Sequence, residues 1–139
     1  MKISKDIKFD CAHMLSNYEG KCANLHGHTY HGTVIIEAPV SDEARMVLDY
    51  NIIKEVVDEF DHAIVFSFHL RRNPAEAQLY EWACKYGMRY ISMPSWAPKS
   101  TAEDMSMAIA QWIKDKCDEM AEVTVKLSET DGSWAEVTI

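Results

Sequence analysis

The amino-acid sequence predicts an α+β fold in which helices cover one face of a four-stranded antiparallel sheet. Apolar residues alternate with polar ones near both ends of the chain, as in half-buried strands. Between these stretches they recur every three or four residues, as in amphipathic helices. The predicted order is strand, strand, helix, helix, strand, strand, with a short helix and a short strand inserted between the main helices. With 139 residues and 47% hydrophobic content, residues 1–139 are expected to form a single domain.

The first two strands follow from alternation at the start of the chain. Odd-numbered positions from Ile3 to His13 are mostly apolar, and a β-rich run covers residues 25–38 before Pro39. The polar residues 16–23 are expected to form the loop between them. Each strand therefore presents one face to the core.

The helical elements are predicted from the middle of the chain. After Asp49, an expected N-cap, apolar residues recur at i, i+3, i+4 and i+7 as far as Phe60. Residues 75–86 favour a shorter helix that Gly87 ends, and a brief strand is expected within residues 89–93.

The last helix and two strands complete the pattern. Residues 100–103 read Ser-Thr-Ala-Glu, a capping box, and the apolar stripe of the helix that follows extends to Met120. Alternation then returns at residues 123–128 and 135–139, with a turn at residues 131–132, which predicts a terminal hairpin.

Three histidines are candidate metal ligands. His26 and His28 are spaced i, i+2, so an extended strand points both imidazoles to one face, and His13 ends the first strand at an inward-facing position. Three ligands that leave one coordination position open are typical of a catalytic metal site. From spacing alone, a chance pair is the alternative, with Gly27 marking a bulge or a close backbone approach. A bulge at Gly32 would also reset the parity of the second strand.

Six short segments, in this order along the chain, resemble the family of 6-pyruvoyl- and 6-carboxy-tetrahydropterin synthases. They are Phe9–His13, Cys22–Tyr30, Val47–Tyr50, Phe60–His62, Ser100–Glu103 and Ser128–Glu136. Cys22 precedes His26 by four residues, as in the carboxy-forming branch that feeds 7-deazaguanine (queuosine-type) synthesis, whereas the pyruvoyl-forming branch uses six. The resemblance therefore implies conversion of 7,8-dihydroneopterin triphosphate to 6-carboxy-5,6,7,8-tetrahydropterin, with release of acetaldehyde and triphosphate.

The resemblance also implies roles for individual residues. Zn²⁺ is expected on the three histidines already named, and Cys22 is the expected general base, with an inert buried thiol as the alternative. Asp61 and His62 resemble the pair that moves protons at the substrate side chain. Because neighbours in sequence do not easily pair like members of a catalytic triad, a different subunit is expected to complete the arrangement.

Substrate contacts are expected at three further positions. Glu129 matches the family residue that anchors the pterin, whose 2-amino and ring N–H groups suit the two oxygens of a carboxylate. Thr101 and Glu103 are expected secondary contacts, although the capping box gives Glu103 a purely structural role as well. Asp49 and Trp134 are interpreted as a helix cap and a packing residue.

The resemblance further implies the tunnelling fold, in which sheets from several subunits join into a β-barrel, usually as a homohexamer of two trimers. The formal net charge of −8 argues against nucleic-acid binding, which needs Lys and Arg on phosphates. The same charge opposes a triphosphate at long range, so cations must be concentrated locally. The candidate cations are Lys21, Lys99 and the pair Arg71 and Arg72. For the arginine pair, a solvated loop with no ligand is an equal alternative.

No signal peptide or membrane span is predicted, because the start of the chain alternates and no apolar run is long enough. A cytoplasmic protein without a membrane partner is expected. The four cysteines are widely spaced and include no C-x-x-C pair, so no disulfide framework is predicted. Cys11, Cys84 and Cys117 are interpreted as small core residues.

Three other functions remain open from the sequence. A cupin-like metal protein also carries H-x-H on a strand, but its glutamate follows three or four residues later, and the first one here is Glu37. A catalytically silent pterin- or metal-binding domain is the second. The third is the pyruvoyl-forming branch of the family.

Overall fold

The computed structural model describes residues 1–41 and 43–139. Strands and helices alternate irregularly along the chain, and 3₁₀ turns cover residues 21–23 and 70–72. The elements are β1 (Lys2–His13), β2 (His26–Glu37), α1 (Tyr50–Asp58), β3 (Ala63–Phe66), α2 (Pro74–Tyr86), β4 (Tyr90–Ser92), α3 (Ala102–Lys114), β5 (Glu122–Thr130) and β6 (Ser133–Thr138).

The sheet has six strands in the order β4-β3-β1-β2-β5-β6. The four main predicted strands, β1, β2, β5 and β6, pair antiparallel as neighbours, whereas β3 runs parallel to β1 and β4 runs parallel to β3. The sheet is therefore six-stranded and mixed, and not four-stranded and antiparallel as predicted. The β3 strand was not predicted, because its Ala-Ile-Val-Phe run does not alternate, which is usual for short strands buried on both faces.

The register of β1 with β2 is unbroken from Lys2 opposite Glu37 to His13 opposite His26. The bulge considered at Gly32 is thus absent. Gly32 lies instead against β5, where an added Cβ would clash with the carbonyl oxygen of a neighbouring residue. All even positions of β2 therefore share one face along its whole length.

The three helices differ slightly from expectation. Asp49 caps α1 as predicted, accepting a hydrogen bond from the Asn51 N–H at 2.8 Å. The cap of α3 is Thr101 and not Ser100, since its hydroxyl accepts from the Asp104 N–H. The α3 helix ends at Lys114, so the predicted stripe stops short of Met120, which is 78% exposed.

The core lies between one face of the sheet and helices α1 and α3. The inward positions of β1, β2 and β5 are buried together with Ile53 and Phe60 from the α1 region and Met105, Ile109 and Ile113 from α3. This packing fixes the ends of β1 and β2, where the histidines lie. Among the described residues, no helix combines the length and apolar character needed to cross a bilayer.

Candidate active site

Three histidines and one glutamate meet at the end of the β1–β2 pair. His13 lies directly opposite His26, and His28 is on the same face one pleat further along. The ring centroids of His13 and His26 are 4.5 Å apart, those of His26 and His28 are 4.9 Å apart, and those of His13 and His28 are 5.3 Å apart. With Glu129 of β5, one nitrogen or oxygen from each residue lies within 4.8 Å of all the others. The predicted inward convergence of the histidines is confirmed.

Backbone carbonyls fix the tautomers of two of these rings. His13 Nδ1 is 2.5 Å from the Ser100 carbonyl, and His26 Nδ1 is 2.7 Å from the Asn24 carbonyl. A carbonyl only accepts hydrogen bonds, so each Nδ1 carries the proton and each Nε2 carries a lone pair. Burial lowers the pKa of His13, which keeps its ring neutral.

These lone pairs point at one another. His13 Nε2 and His26 Nε2 are 3.1 Å apart, a repulsive contact for two acceptors unless a cation lies between them. His28 Nε2 is buried without a hydrogen-bond partner: the Glu129 carboxylate is 2.9 Å away, but the two groups are not oriented to form a hydrogen bond. Two histidine nitrogens on one tetrahedral zinc ion lie about 3.3 Å apart. The donor set therefore fits a divalent metal.

Glu129 is held by a residue that the sequence analysis overlooked. Tyr30 is fully buried, stacks on Phe9 with ring centroids 5.1 Å apart, and donates its hydroxyl to Glu129 Oε2 at 3.4 Å. Burial raises the pKa of Tyr30 well above its ordinary value, so the hydroxyl stays a donor. The sequence does carry a signal for Tyr30, because this residue continues the i, i+2 series of His26 and His28 and so lies on the same face of the strand.

Cys22 lies beside the cluster but outside it. It belongs to the 3₁₀ turn at residues 21–23, and its carbonyl accepts from the Leu15 N–H at 2.8 Å, which folds the loop back onto the end of β1. Its side chain is half-buried. Cys11 is the fully buried thiol of β1, and burial raises its pKa to about 12. Of the three cysteines assigned to the core, Cys84 is exposed, so that part of the prediction is wrong.

Asp61 and His62 form a second cluster with Asp10. Asp61 Oδ1 accepts from the Asp10 N–H at 2.9 Å, and Asp61 Oδ2 is 2.9 Å from His62 Nδ1. The two neighbours thus lie within ion-pair distance, and His62 adopts a left-handed backbone with φ 58°. Completion of the arrangement by a different subunit stays a prediction. The hydrogen bond from Asp10 lowers the pKa of Asp61.

The two clusters lie on opposite faces of the sheet. Cys11 pairs with His28 on the helix-covered face, whereas Asp10 pairs with Thr29 on the other face, and the Thr29 hydroxyl donates to the Asp10 carboxylate. Asp61 and His62 gather around that carboxylate. A single chain therefore does not bring its predicted proton-transfer pair to its own histidine cluster.

A sequence model of the family described as 6-pyruvoyl tetrahydropterin synthase matches residues 2–139. The chain belongs to the 6-pyruvoyl tetrahydropterin synthase family. It is 32% identical to a 6-carboxy-5,6,7,8-tetrahydropterin synthase of Haemophilus influenzae, over 97% of this chain and 96% of that protein. It is 33% identical to a putative 6-carboxy-5,6,7,8-tetrahydropterin synthase of Pyrococcus abyssi, over 95% of this chain and 86% of that one. The resemblance drawn from the six segments is confirmed, and the chain is an enzyme of this family.

Solved structures, among them 6-pyruvoyl tetrahydropterin synthases, share the fold. The Plasmodium falciparum 6-pyruvoyl tetrahydropterin synthase superposes with a TM-score of 0.66 at 18% identity, covering 100% of this chain and 97% of that one. An uncharacterized protein of Wolinella succinogenes superposes with a TM-score of 0.73, also at 18% identity, over 99% and 97% of the two chains. At this identity the likeness concerns the fold alone.

Of two further positions of the family motif, Glu103 shares a cavity with Glu129, whereas Thr101 does not line that cavity. Thr101 caps α3, and Glu103 in the first turn is exposed; its side chain takes no part in the cap, contrary to the capping-box interpretation. Glu103, Glu129 and the exposed Trp134 line a cavity of about 240 Å³. The packing role expected for Trp134 is only partial, since its ring is 58% exposed and lies under the Lys126 ammonium at 4.0 Å.

Proposed function

We propose that this enzyme is a zinc-dependent 6-carboxy-5,6,7,8-tetrahydropterin synthase. It would convert 7,8-dihydroneopterin triphosphate and water to 6-carboxy-5,6,7,8-tetrahydropterin, acetaldehyde and triphosphate, as a step toward 7-deazaguanine nucleosides. The observation that carries the proposal is the pair of facing Nε2 lone pairs, 3.1 Å apart, on His13 and His26. The four-residue step from Cys22 to His26 and the names of the relatives favour the carboxy-forming reaction.

His13, His26 and His28 would hold the metal through Nε2. A divalent metal held there would polarise a side-chain hydroxyl of the substrate and acidify the adjacent C–H bond. The Ser100 and Asn24 carbonyls keep two of the rings in the ligating tautomer. Glu129, 2.9 Å from His28 Nε2, lies at the boundary between this cluster and the cavity lined by Glu103.

Cys22 would remove the proton from the carbon next to the substrate hydroxyl. A thiolate is suited to this role when a cation nearby stabilises it, and the 3₁₀ turn holds the residue next to the end of β1. Glu129 would accept hydrogen bonds from the 2-amino and ring N–H groups of the pterin. The Tyr30 hydroxyl would keep the Glu129 carboxylate oriented for these bonds.

The proton-transfer pair would come from a neighbouring subunit. Asp61 and His62 lie on the far face of the sheet from the histidines within one chain, so a site that uses both clusters needs a second copy. The β1 strand pairs with β3 only at residues 11–13, and β6 is a sheet edge, so residues 2–10 and β6 offer two strand edges for joining subunits. These edges suit the barrel of a homohexamer.

Identification of the product by mass spectrometry after incubation with 7,8-dihydroneopterin triphosphate tests the proposal. The expected product carries a carboxyl group at C6 of a reduced pterin. A product that keeps the three-carbon side chain would place the enzyme in the pyruvoyl-forming branch. Unchanged substrate with fully metal-loaded, folded protein would favour a catalytically silent binding domain.

A further inference from the structure

A cavity of about 360 Å³ lies next to the histidine cluster, and the two charged side chains in its lining, Arg72 and Lys99, are both cations. His69, Arg72 and Lys99 line it, together with polar side chains such as Ser16, Tyr18 and Thr101, and no Asp or Glu does. This is notable in a chain that has 22 acidic and 14 basic residues. Such a lining concentrates positive charge where the protein as a whole is negative.

The charges of this cavity are available to a ligand. The ion pairs among the described residues involve Lys2, His28 and His62 with their carboxylates, so neither Arg72 nor Lys99 is engaged in one. The residue before Arg72 is also an arginine, Arg71; it is exposed but does not line the cavity. The geometry thus separates two adjacent arginines that the sequence could not distinguish.

A buried carboxylate builds the wall behind this lining. Glu76 is fully buried; its Oε1 accepts from the Ser67 N–H at 2.7 Å, and its Oε2 accepts from the Ser67 hydroxyl at 2.8 Å and from the Ser16 hydroxyl. These bonds tie the loop after β1 to the segment after β3, two stretches that both line the cavity. Glu76 itself does not line the cavity, whose charged lining residues are Arg72 and Lys99.

The cavity adjoins the metal-ligand cluster through two lining residues. Met14 follows His13 in sequence, and Ser100 accepts from His13 Nδ1 at 2.5 Å through its carbonyl. The Ser100 hydroxyl donates to the Met14 carbonyl at 3.1 Å, which joins both sides of this wall. The Met14 and Ser100 end of the cavity therefore lies against His13, next to the metal-ligand cluster.

We infer that this cavity is the subsite for the triphosphate group, with Arg72 and Lys99 as its principal cations and His69 as a further donor. The assignment rests on the proposed function for the identity of the substrate, whose phosphates follow the side-chain carbons that react. The two cavities then divide the substrate by charge. The one lined by Glu103 and Glu129 suits pterin N–H groups, and the cationic one suits polyphosphate oxygens.

Titration calorimetry with inorganic triphosphate tests this assignment directly. We expect Arg72→Gln and Lys99→Gln each to weaken binding about tenfold, since charge-assisted hydrogen bonds are lost. Arg71→Gln is the matched control and should bind like the wild type, and Lys99→Arg should retain most of the affinity. Metal content and circular dichroism of each variant establish that the histidine cluster and the fold are intact.

Equal affinity of the wild type, Arg72→Gln and Lys99→Gln would overturn the inference, as would a loss of affinity in Arg71→Gln of the same size. The outcome is separable from that of the proposed function. Triphosphate binding that depends on Arg72 and Lys99, in a protein that does not convert dihydroneopterin triphosphate, would support the subsite while contradicting the reaction. Turnover of dihydroneopterin triphosphate by a protein whose triphosphate binding does not depend on Arg72 and Lys99 would support the reaction while contradicting the subsite.

Discussion

His13 and His26 face each other across the β1–β2 pair with their Nε2 atoms 3.1 Å apart, while each donates its Nδ1 proton to a backbone carbonyl. Two neutral rings in these tautomers repel at that distance. The fold therefore holds a geometry that a bound cation stabilises, and apolar packing around Phe9 and Tyr30 maintains it from behind.

The metal content of histidine variants should follow this geometry. His26→Ala and His28→Ala each remove one of the three proposed nitrogen ligands, so we expect most of the zinc to be lost during purification and dialysis. Elemental analysis measures the occupancy. His31→Ala is the control, since His31 is an exposed residue of the same strand on the opposite face, and it should keep the wild-type zinc content. Full occupancy in both ligand variants would disprove the assignment.

Replacing Cys22 should slow turnover strongly without disturbing the metal. Loss of a general base typically slows a reaction by about 10²- to 10⁴-fold, and we expect Cys22→Ala to fall in this range with its zinc and fold intact. Steady-state assays on the purified variants measure the effect. Cys84→Ala and Cys117→Ala should stay near the wild type. A nearly normal rate in Cys22→Ala would move the base role to another group.

The thiols should differ in their response to pH. Burial raises the pKa of Cys11 to about 12, so in the folded protein it remains a thiol at pH 8. The unfolded chain loses this proton near pH 8.5, and stability should therefore fall as pH rises above that value. Iodoacetamide at pH 8, followed by peptide mass spectrometry, should label the exposed Cys84 and spare Cys11. Equal labelling of both in folded protein would contradict the burial argument.

Activity should reappear when two inactive variants share one oligomer. Cys22→Ala lacks the proposed base, and His62→Ala lacks the proposed proton-transfer partner on the far face of the sheet. Co-expression should therefore create some sites that draw an intact Cys22 and an intact His62 from different subunits. Activity of the tagged hybrid, compared with each variant alone, measures the recovery. Light scattering should give the mass of a hexamer. A fully active monomer, or hybrids as inactive as their parents, would exclude a shared site.

Local patterns were sufficient for most elements. Alternation located β1, β2, β5 and β6, and the Asp49 cap located α1, because these signals depend only on neighbours in sequence. Parallel pairing of β3 with β1 joins residues about fifty positions apart, and a four-residue apolar run carries no information about such a partner. The end of α3 was placed too late because apolar spacing alone continued to Met120.

The candidate site, like the fold, could be predicted only in part from the sequence. Parity within one strand predicted that the histidines converge, but contacts between distant segments could not be read from spacing. These include the approach of Glu129 to His28, the Ser100 carbonyl on His13, and the cationic cavity between residues 14–18, 67–72 and 98–101. Each depends on which segments the tertiary fold brings together.

The ratio of acetaldehyde to triphosphate released from 7,8-dihydroneopterin triphosphate tests the central claim most directly. Cleavage of the side chain to leave a carboxyl group releases both products together. We expect acetaldehyde and triphosphate to accumulate in equal amounts with the wild type, and both to accumulate about 10²- to 10⁴-fold more slowly with Cys22→Ala. Triphosphate released without acetaldehyde would contradict it, because the three-carbon side chain would then remain on the pterin.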